Sequence, residues 1–280
     1  MEFIAILANT ARSQAYLQTL LKENFKPTKV FILDDNNEKY LGKISKKIEI
    51  SKDNNQSYVF KFSVIKPKED LIATLSKTDI PYTTINTPDI NSNDVYLAIS
   101  RSDIKLVVIS VYAGQILKSK ILSLKKEYIH VHSGKLPQYR GSTTIYYSLL
   151  EKNKVAASAI IINEGIDTGD IICFKEFDFN FDPKLIDLIF DPLLRAVVLI
   201  YALKHLSKKY KNSISLVEFI NKIDTRNAAI LTYRFILLLL KSPNFWIEFL
   251  NERITKNPIK NHSSSLALRL ITSYSPKLMP

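Results

Sequence analysis

The sequence predicts an α/β fold: a Rossmann-like, doubly wound, mostly parallel sheet followed by a helical C-terminal region. Three observations carry this. Strand-length apolar runs alternate with stretches of helical spacing from Phe3 to about Phe179. Runs such as "IKLVVISVY" are apolar throughout, as strands covered on both faces are. After Pro183 the pattern turns wholly helical. The expected division is therefore an α/β domain over 1–180 and a helical region over 181–280.

Taken in order, "FIAILA" is a strand, "NTARSQAYLQTLLKEN" a helix with Ala15, Leu17, Leu20 and Leu21 on one face, and "KVFILDD" a second strand. That is a βαβ unit. The polar stretch 34–68 is expected to be loop with short strands. "KEDLIATLSKT" is a helix, "YTTIN" a strand, and "SNDVYLAISRS" a helix capped by Ser92 or Asn93. "IKLVVISVY" is a buried strand, "GQILKSKILSL" a helix, "YIHVHS" a strand, "TTIYYSLLEKN" a helix, and "AASAIIIN" and "IICFKEFDF" are strands. In the helical region, Ile230–Lys241 is apolar, but Arg234 interrupts it and it is too short to span a bilayer. With "NFWIEFL" behind it, it suits a membrane surface, or better a helix packed on the main domain or at a homodimer interface.

The 280 residues can bury a substantial core, and the single Cys173 excludes an internal disulfide framework and a cysteine-rich metal site. Met1-Glu2-Phe3-Ile4 runs straight into a strand with no basic leader, so the expected location is cytoplasmic. The net charge of +12 suits polyanionic partners: nucleic acid, a nucleotide or phosphosugar, or an anionic membrane. The lysines are scattered rather than blocked, which favours an ordinary lysine-rich surface over a nucleic-acid track.

Glycine is scarce, and five of the six (Gly114, Gly134, Gly141, Gly165, Gly169) fall between 114 and 169. Unusual backbone is thereby concentrated around "HVHSGKLPQYRGSTT". His130 and His132 are i and i+2 on a strand and share a face. Such a pair can ligate a metal, act in catalysis, or occur by chance. A metal needs further ligands, and His205 in a helix and His262 in a polar stretch stand in no motif. No metal is expected.

"HVHSGKLPQYRG" followed by "SAIIINEGIDTGDII" resembles the folate-dependent formyltransferase family, which includes methionyl-tRNA, glycinamide ribonucleotide and sugar-nucleotide N-formyltransferases. The resemblance covers about residues 2–179, including "VVISVYAGQIL" upstream. It gives His132 the family's histidine, Leu136-Pro137 its Leu-Pro, Tyr139-Arg140-Gly141 its tail and Asp167, thirty-five residues on, its aspartate. It implies formyl transfer from 10-formyltetrahydrofolate to an amine. An amine attacks the formyl carbon, an oxyanion forms and the folate nitrogen leaves. His132 would carry the proton, with Asp167 orienting it. Tyr112, Ala113, Gly114, Ile116 and Leu117 would line an apolar slot for the pterin, and Glu164, Gly165 and Ile166 would meet its polar edge.

Two departures stand out. His130 replaces the family's Asn, whose carboxamide would donate to the oxyanion, and Ser133-Gly134 replaces a small residue or proline followed by serine. A variant branch fits best, because His132, Asp167 and the glycines remain. For the acceptor, Thr10, Arg12 and Ser13 after the first strand can cradle a phosphate or simply cap the helix. Tyr139, Arg140, Gly141 and Ser142 are further candidates. The helical tail does not resemble the β-rich tail of the tRNA enzymes, so the resemblance implies a nucleotide-linked amino sugar as acceptor. The alternatives are a tRNA-directed enzyme and a folate-binding paralogue without turnover.

Overall fold

The computed structural model describes residues 1–34, 57–142, 144–180 and 182–221, with side chains to 210. Stretch 35–56, the apolar segment 230–241 and His262 lie outside the described residues. Met1–Ile214 forms one compact unit, and the chain from Ser215 forms a second. No helix among the described residues is long and apolar enough to cross a membrane.

The first unit opens with strand β1 (Ile4–Ala8), helix α1 (Ala11–Lys22) and strand β2 (Lys29–Asp34). Thr10 caps α1, its hydroxyl accepting from the Ser13 N–H at 3.2 Å. Asn24 beyond its end takes a left-handed φ of 60°. A small hairpin, β3 (Tyr58–Phe60) and β4 (Ser63–Ile65), follows, then α2 (Leu71–Leu75) capped by Asp70 and β5 (Tyr82–Asn86). Helix α3 (Asn93–Ser100) is capped by Ser92 rather than Asn93. Next come β6 (Leu106–Ser110), α4 (Ser119–Leu122), β7 (Glu127–His132), α5 (Thr144–Lys152), β8 (Lys154–Ile161) and β9 (Asp170–Asp178). A 3-10 turn (Pro183–Leu185) and a π turn (Ile186–Phe190) lead into α6 (Asp191–Asn221).

Two expectations need correction. The helix read over Gly114–Leu124 is only four residues long. Gly114 takes a φ of +81°, and the next residues are tied down by side chains: Gln115 accepts from the Ile90 N–H, and Asn91 accepts from the Lys118 N–H. Side-chain bonds there replace the helical ladder. The alternation β7–α5–β8 also looks like another parallel crossover, yet β8 runs antiparallel to β7. Only Asn153, at a left-handed φ of 50°, separates α5 from β8, so the chain reverses at once and enters at the end where β7 finishes, with Ser158 opposite His132.

The described strands form a sheet in the order β5-β2-β1-β6-β7-β8-β9, parallel from β5 to β7 and antiparallel beyond. The chain winds outward from β1 to β5 and then returns to β6. The order therefore reverses between β1 and β6, where doubly wound sheets open a crevice beyond the strand ends. Each sheet face carries its own core. Ala15, Tyr16, Leu17 and Leu20 of α1 and Leu193, Val197 and Leu203 of α6 are buried, and α1 and α6 share the core on one face. Val95, Ile99 and Ile121 lie in the core on the other. Each fully buried aliphatic side chain contributes about 1.5–3 kcal/mol. That burial fixes the register of β7, so Ile129 and Val131 point into the first core while Tyr128, His130 and His132 share the opposite face.

Candidate active site

His132 ends β7, and each ring nitrogen has a defined neighbour. Nε2 lies 2.7 Å from the Tyr139 carbonyl oxygen, which can only accept, so Nε2 carries the proton. Nδ1 lies 3.3 Å from Asp167 Oδ2. The Thr144 hydroxyl donates to the Ser133 carbonyl and sits 3.3 Å from Nε2. Asp167 reaches His132 from the loop between β8 and β9 at a left-handed φ of 52°, unusual for a non-glycine residue. The same Oδ2 accepts from the Gly141 N–H at 2.9 Å, and Gly141 needs its φ of +93° to aim that bond. Gly134 is required for space: a Cβ there would sit 3.0 Å from Thr144 Oγ1 and 3.1 Å from His132 Nε2. Ser158 pins this loop by donating to the Gly134 carbonyl and accepting from the Leu136 N–H.

His130 is half-buried and has no hydrogen-bond partner among the described residues. Burial holds its pKa well below the usual imidazole value, and Arg12, Arg195 and His132 push the same way. Burial also lowers His132, outweighing the Asp167 carboxylate and the Tyr139 carbonyl. Both imidazoles are therefore held towards the neutral form. The ligating atoms of His130, His132 and Asp167 all lie within 4.8 Å of one another. The sequence reading placed Asp167 beside His132 as a catalytic partner but did not count it as a third ligand.

The other expected residues are dispersed. Tyr112 and Leu117 belong to the core beneath β6, and the Tyr112 hydroxyl donates to the Leu33 carbonyl. Ala113, Gly114 and Ile116 are exposed beyond β6, and Glu164, Gly165 and Ile166 are exposed in the Asp167 loop. Thr10 is the helix cap. Arg12 donates from Nε to Ser110 Oγ at 3.0 Å and from its terminal nitrogen to the Val111 carbonyl. The Ser13 hydroxyl lies 2.9 Å from the Ser110 carbonyl and 2.8 Å from its hydroxyl. These bonds tie α1 to the end of β6. Tyr139, Arg140 and Thr144 border a surface cleft of about 350 Å³, completed by Gln138, Tyr147, Glu151 and Lys152. Gly141 and Ser142 are exposed next to it in the chain.

Two residues missed in the sequence brace the site. Asp191 Oδ1 accepts from Ser133 Oγ at 2.5 Å, and Asp191 pairs with Arg195 Nε at 2.9 Å. Arg195 also donates to the Val131 carbonyl at 3.3 Å. Burial opposes the charge on Arg195, but Asp191 carries its pKa above the usual value. Burial lowers Arg12 to about 10, and Arg195 adds to the effect. The available signal was an Asp and an Arg at i and i+4 inside an otherwise apolar helix, "DPLLRAVVLIYAL". Burial pushes the Cys173 thiol up to about 11, which disfavours the reactive thiolate.

A family model described as formyl transferase matches residues 4–182. Methionyl-tRNA formyltransferase of Finegoldia magna is 31% identical over 106 residues, covering 37% of this chain and 34% of that protein. That of Prochlorococcus marinus subsp. pastoris is 30% identical over 203 residues, 65% of this chain and 61% of the relative. The chain thus spans about a third of the first relative's length and under two thirds of the second's. A crystal structure of phosphoribosylglycinamide formyltransferase from Anaplasma phagocytophilum superposes with a TM-score of 0.51 at 12% identity, covering 75% of this chain and 88% of that one, a likeness of fold. The family match spans His130, His132 and Asp167 and takes in more than half of the sequence, so the chain belongs to the folate-dependent formyl transferase family.

Proposed function

We propose that this protein transfers a formyl group from 10-formyltetrahydrofolate to the amine of a nucleotide-linked amino sugar. The observation that carries the reading is the His132–Asp167 pair, set in the family's motif with Nε2 locked as donor and Nδ1 free to accept. The bound folate supplies the formyl group. A proton leaving the attacking amine goes to His132 Nδ1, where the Asp167 carboxylate at 3.3 Å compensates the new charge, and passes to the folate nitrogen as its bond to the formyl carbon breaks. His130, held towards the neutral form and without a hydrogen-bond partner among the described residues, donates its ring N–H to the developing oxyanion in place of the family's carboxamide. Exposed Ile116 and Ile166 and the open space beside Gly114 suit a flat amphipathic ring.

The cleft bordered by Thr144, whose hydroxyl lies 3.3 Å from His132 Nε2, supports a nucleotide-bearing acceptor. Its volume suits a small ligand, Tyr147 offers an exposed ring for a base, and Arg140 and Lys152 offer cations for phosphates. A tRNA acceptor is the second reading, favoured by the methionyl-tRNA relatives and the charge of +12. The test incubates the full chain with 10-formyltetrahydrofolate and either nucleoside-diphosphate amino sugars or methionyl-tRNA, following tetrahydrofolate release and the mass of the acceptor. Turnover with an amino-sugar nucleotide, undiminished by a chelator, is expected. Formylation of methionyl-tRNA alone would replace the acceptor. Folate binding with no turnover on either would make the protein a binding module.

A further inference from the structure

We propose that His130, His132 and Asp167 form a transition-metal site, and that a bound metal ion such as Zn2+ opposes formyl transfer. The starting point is the contact between His132 Nδ1 and Asp167 Oδ2. With Nε2–H committed to the Tyr139 carbonyl, Nδ1 presents a lone pair to a carboxylate oxygen 3.3 Å away. A lone pair facing an anion is satisfied only by a cation between them, either a proton or a metal ion. Two atoms each about 2.0–2.2 Å from one zinc ion are roughly 3.3–3.5 Å apart in tetrahedral geometry, so this pair already has the spacing of two ligands.

His130 supplies the third. Its imidazole has no hydrogen bond among the described residues, and its ligating atom lies within 4.8 Å of the other two. Small side-chain rotations close that gap. The outer contacts are those of a metal site. His132 donates its other ring N–H to a backbone carbonyl, and Asp167 accepts from the Gly141 N–H. Two imidazoles and one carboxylate favour Zn2+, Co2+, Ni2+ or Fe2+ over Mg2+ or Ca2+. Arg12 and Arg195 bear on His130 as positive charges, offset in part by Asp191, so affinity falls below that of a closed four-ligand site. An Asn at 130 has no comparable ligand for zinc, so the departure at this position is what completes the triad.

The consequence for transfer rests on the proposed function; the binding does not. A metal on Nδ1 occupies the lone pair that takes the amine's proton, so Zn2+ inhibits and a chelator restores activity. The direct test titrates the full chain with Co2+ near neutral pH and follows the visible absorption of a low-coordinate site. The variants are His130→Asn, His130→Gln, Asp167→Asn and His205→Asn, each checked by circular dichroism. One Co2+ per wild-type chain is expected, displaced by Zn2+ but not by excess Mg2+. His205→Asn should bind alike. Whichever His130 variant folds should lose more than about 100-fold in affinity, because losing an outer partner alone costs 10–100-fold. No stoichiometric binding by the wild type, or equal binding by the folded His130 variant, would overturn the site. Absence of formyl transfer with intact Co2+ binding would instead remove the functional reading.

Discussion

Two polar clusters sit near the strand ends of this sheet, and they are finished differently. At the ends of β1 and β6, Thr10 caps a helix, Ser13 bonds to Ser110, and Arg12 donates to Ser110 and to the Val111 carbonyl. At the end of β7, His130 lacks a hydrogen-bond partner among the described residues and His132 turns a bare nitrogen to a carboxylate. The first cluster ties α1 to the end of β6. The second, the open one, is, on the reading proposed above, where a substrate or a cation completes the bonding.

The largest effect that would sharpen this contrast is at His132. His132→Ala should lower turnover by about 10²–10⁴-fold while folate binding, measured by fluorescence titration, changes little. Near-normal turnover would make the β7 cluster as structural as its neighbour. Next in size is His130. His130→Ala should cost about 10²–10³-fold in kcat, the usual loss for one oxyanion donor, whereas His130→Asn, which keeps a donor, should retain far more. Burial depresses the pKa of His130, so the wild-type donor is neutral at pH 7. Its rate should therefore hold steady from about pH 6.5 upward, the range where a normal imidazole loses its proton. A fall in rate across that range, absent in His130→Asn, would mean a protonated donor.

The cluster at the ends of β1 and β6 should fail in the opposite way. Arg12→Met should reduce stability by about 1.5–3 kcal/mol in denaturant melts, the cost of removing charged hydrogen bonds, with a far smaller change in turnover per folded molecule. A large kcat loss at full stability would move Arg12 into the substrate site. The smallest effect concerns acid. His130 and His132 have folded pKa values below the unfolded value of about 6.5, so the unfolded chain takes up protons first as pH falls. Their contribution is complete above about pH 6.5 and is lost as pH falls towards the folded pKa values. His130→Asn should flatten that decline in melts across pH.

Much of this was legible in the sequence, because the signals were local. Apolar runs gave the strands, Thr10 and Ser92 the caps, and the glycine-rich stretch around His132 the motif. What escaped was non-local or depended on a single backbone angle. Asn153 at positive φ turns an apparent crossover into an antiparallel return. Gly114, with side-chain ties from Gln115 and Asn91, dissolves most of an apparent helix. Asp191 and Arg195, some sixty residues beyond β7, reach Ser133 and the Val131 carbonyl only through folding. Thr10, Arg12 and Ser13 suit a phosphate by residue type, and the hydrogen bonds that tie them to Ser110 and the Val111 carbonyl could be seen only in the fold.

The most direct test of the open cluster is the nitrogen-15 NMR spectrum of the histidine rings, titrated across pH in the folded chain with metal removed. Only four histidines need assignment. His132 should appear at pH 7 as the neutral Nε2–H tautomer with Nδ1 bare, and His130 as neutral, both taking a second proton only below the ordinary imidazole range. A doubly protonated ring on either at pH 7, or an Nδ1–H tautomer at His132, would contradict the account.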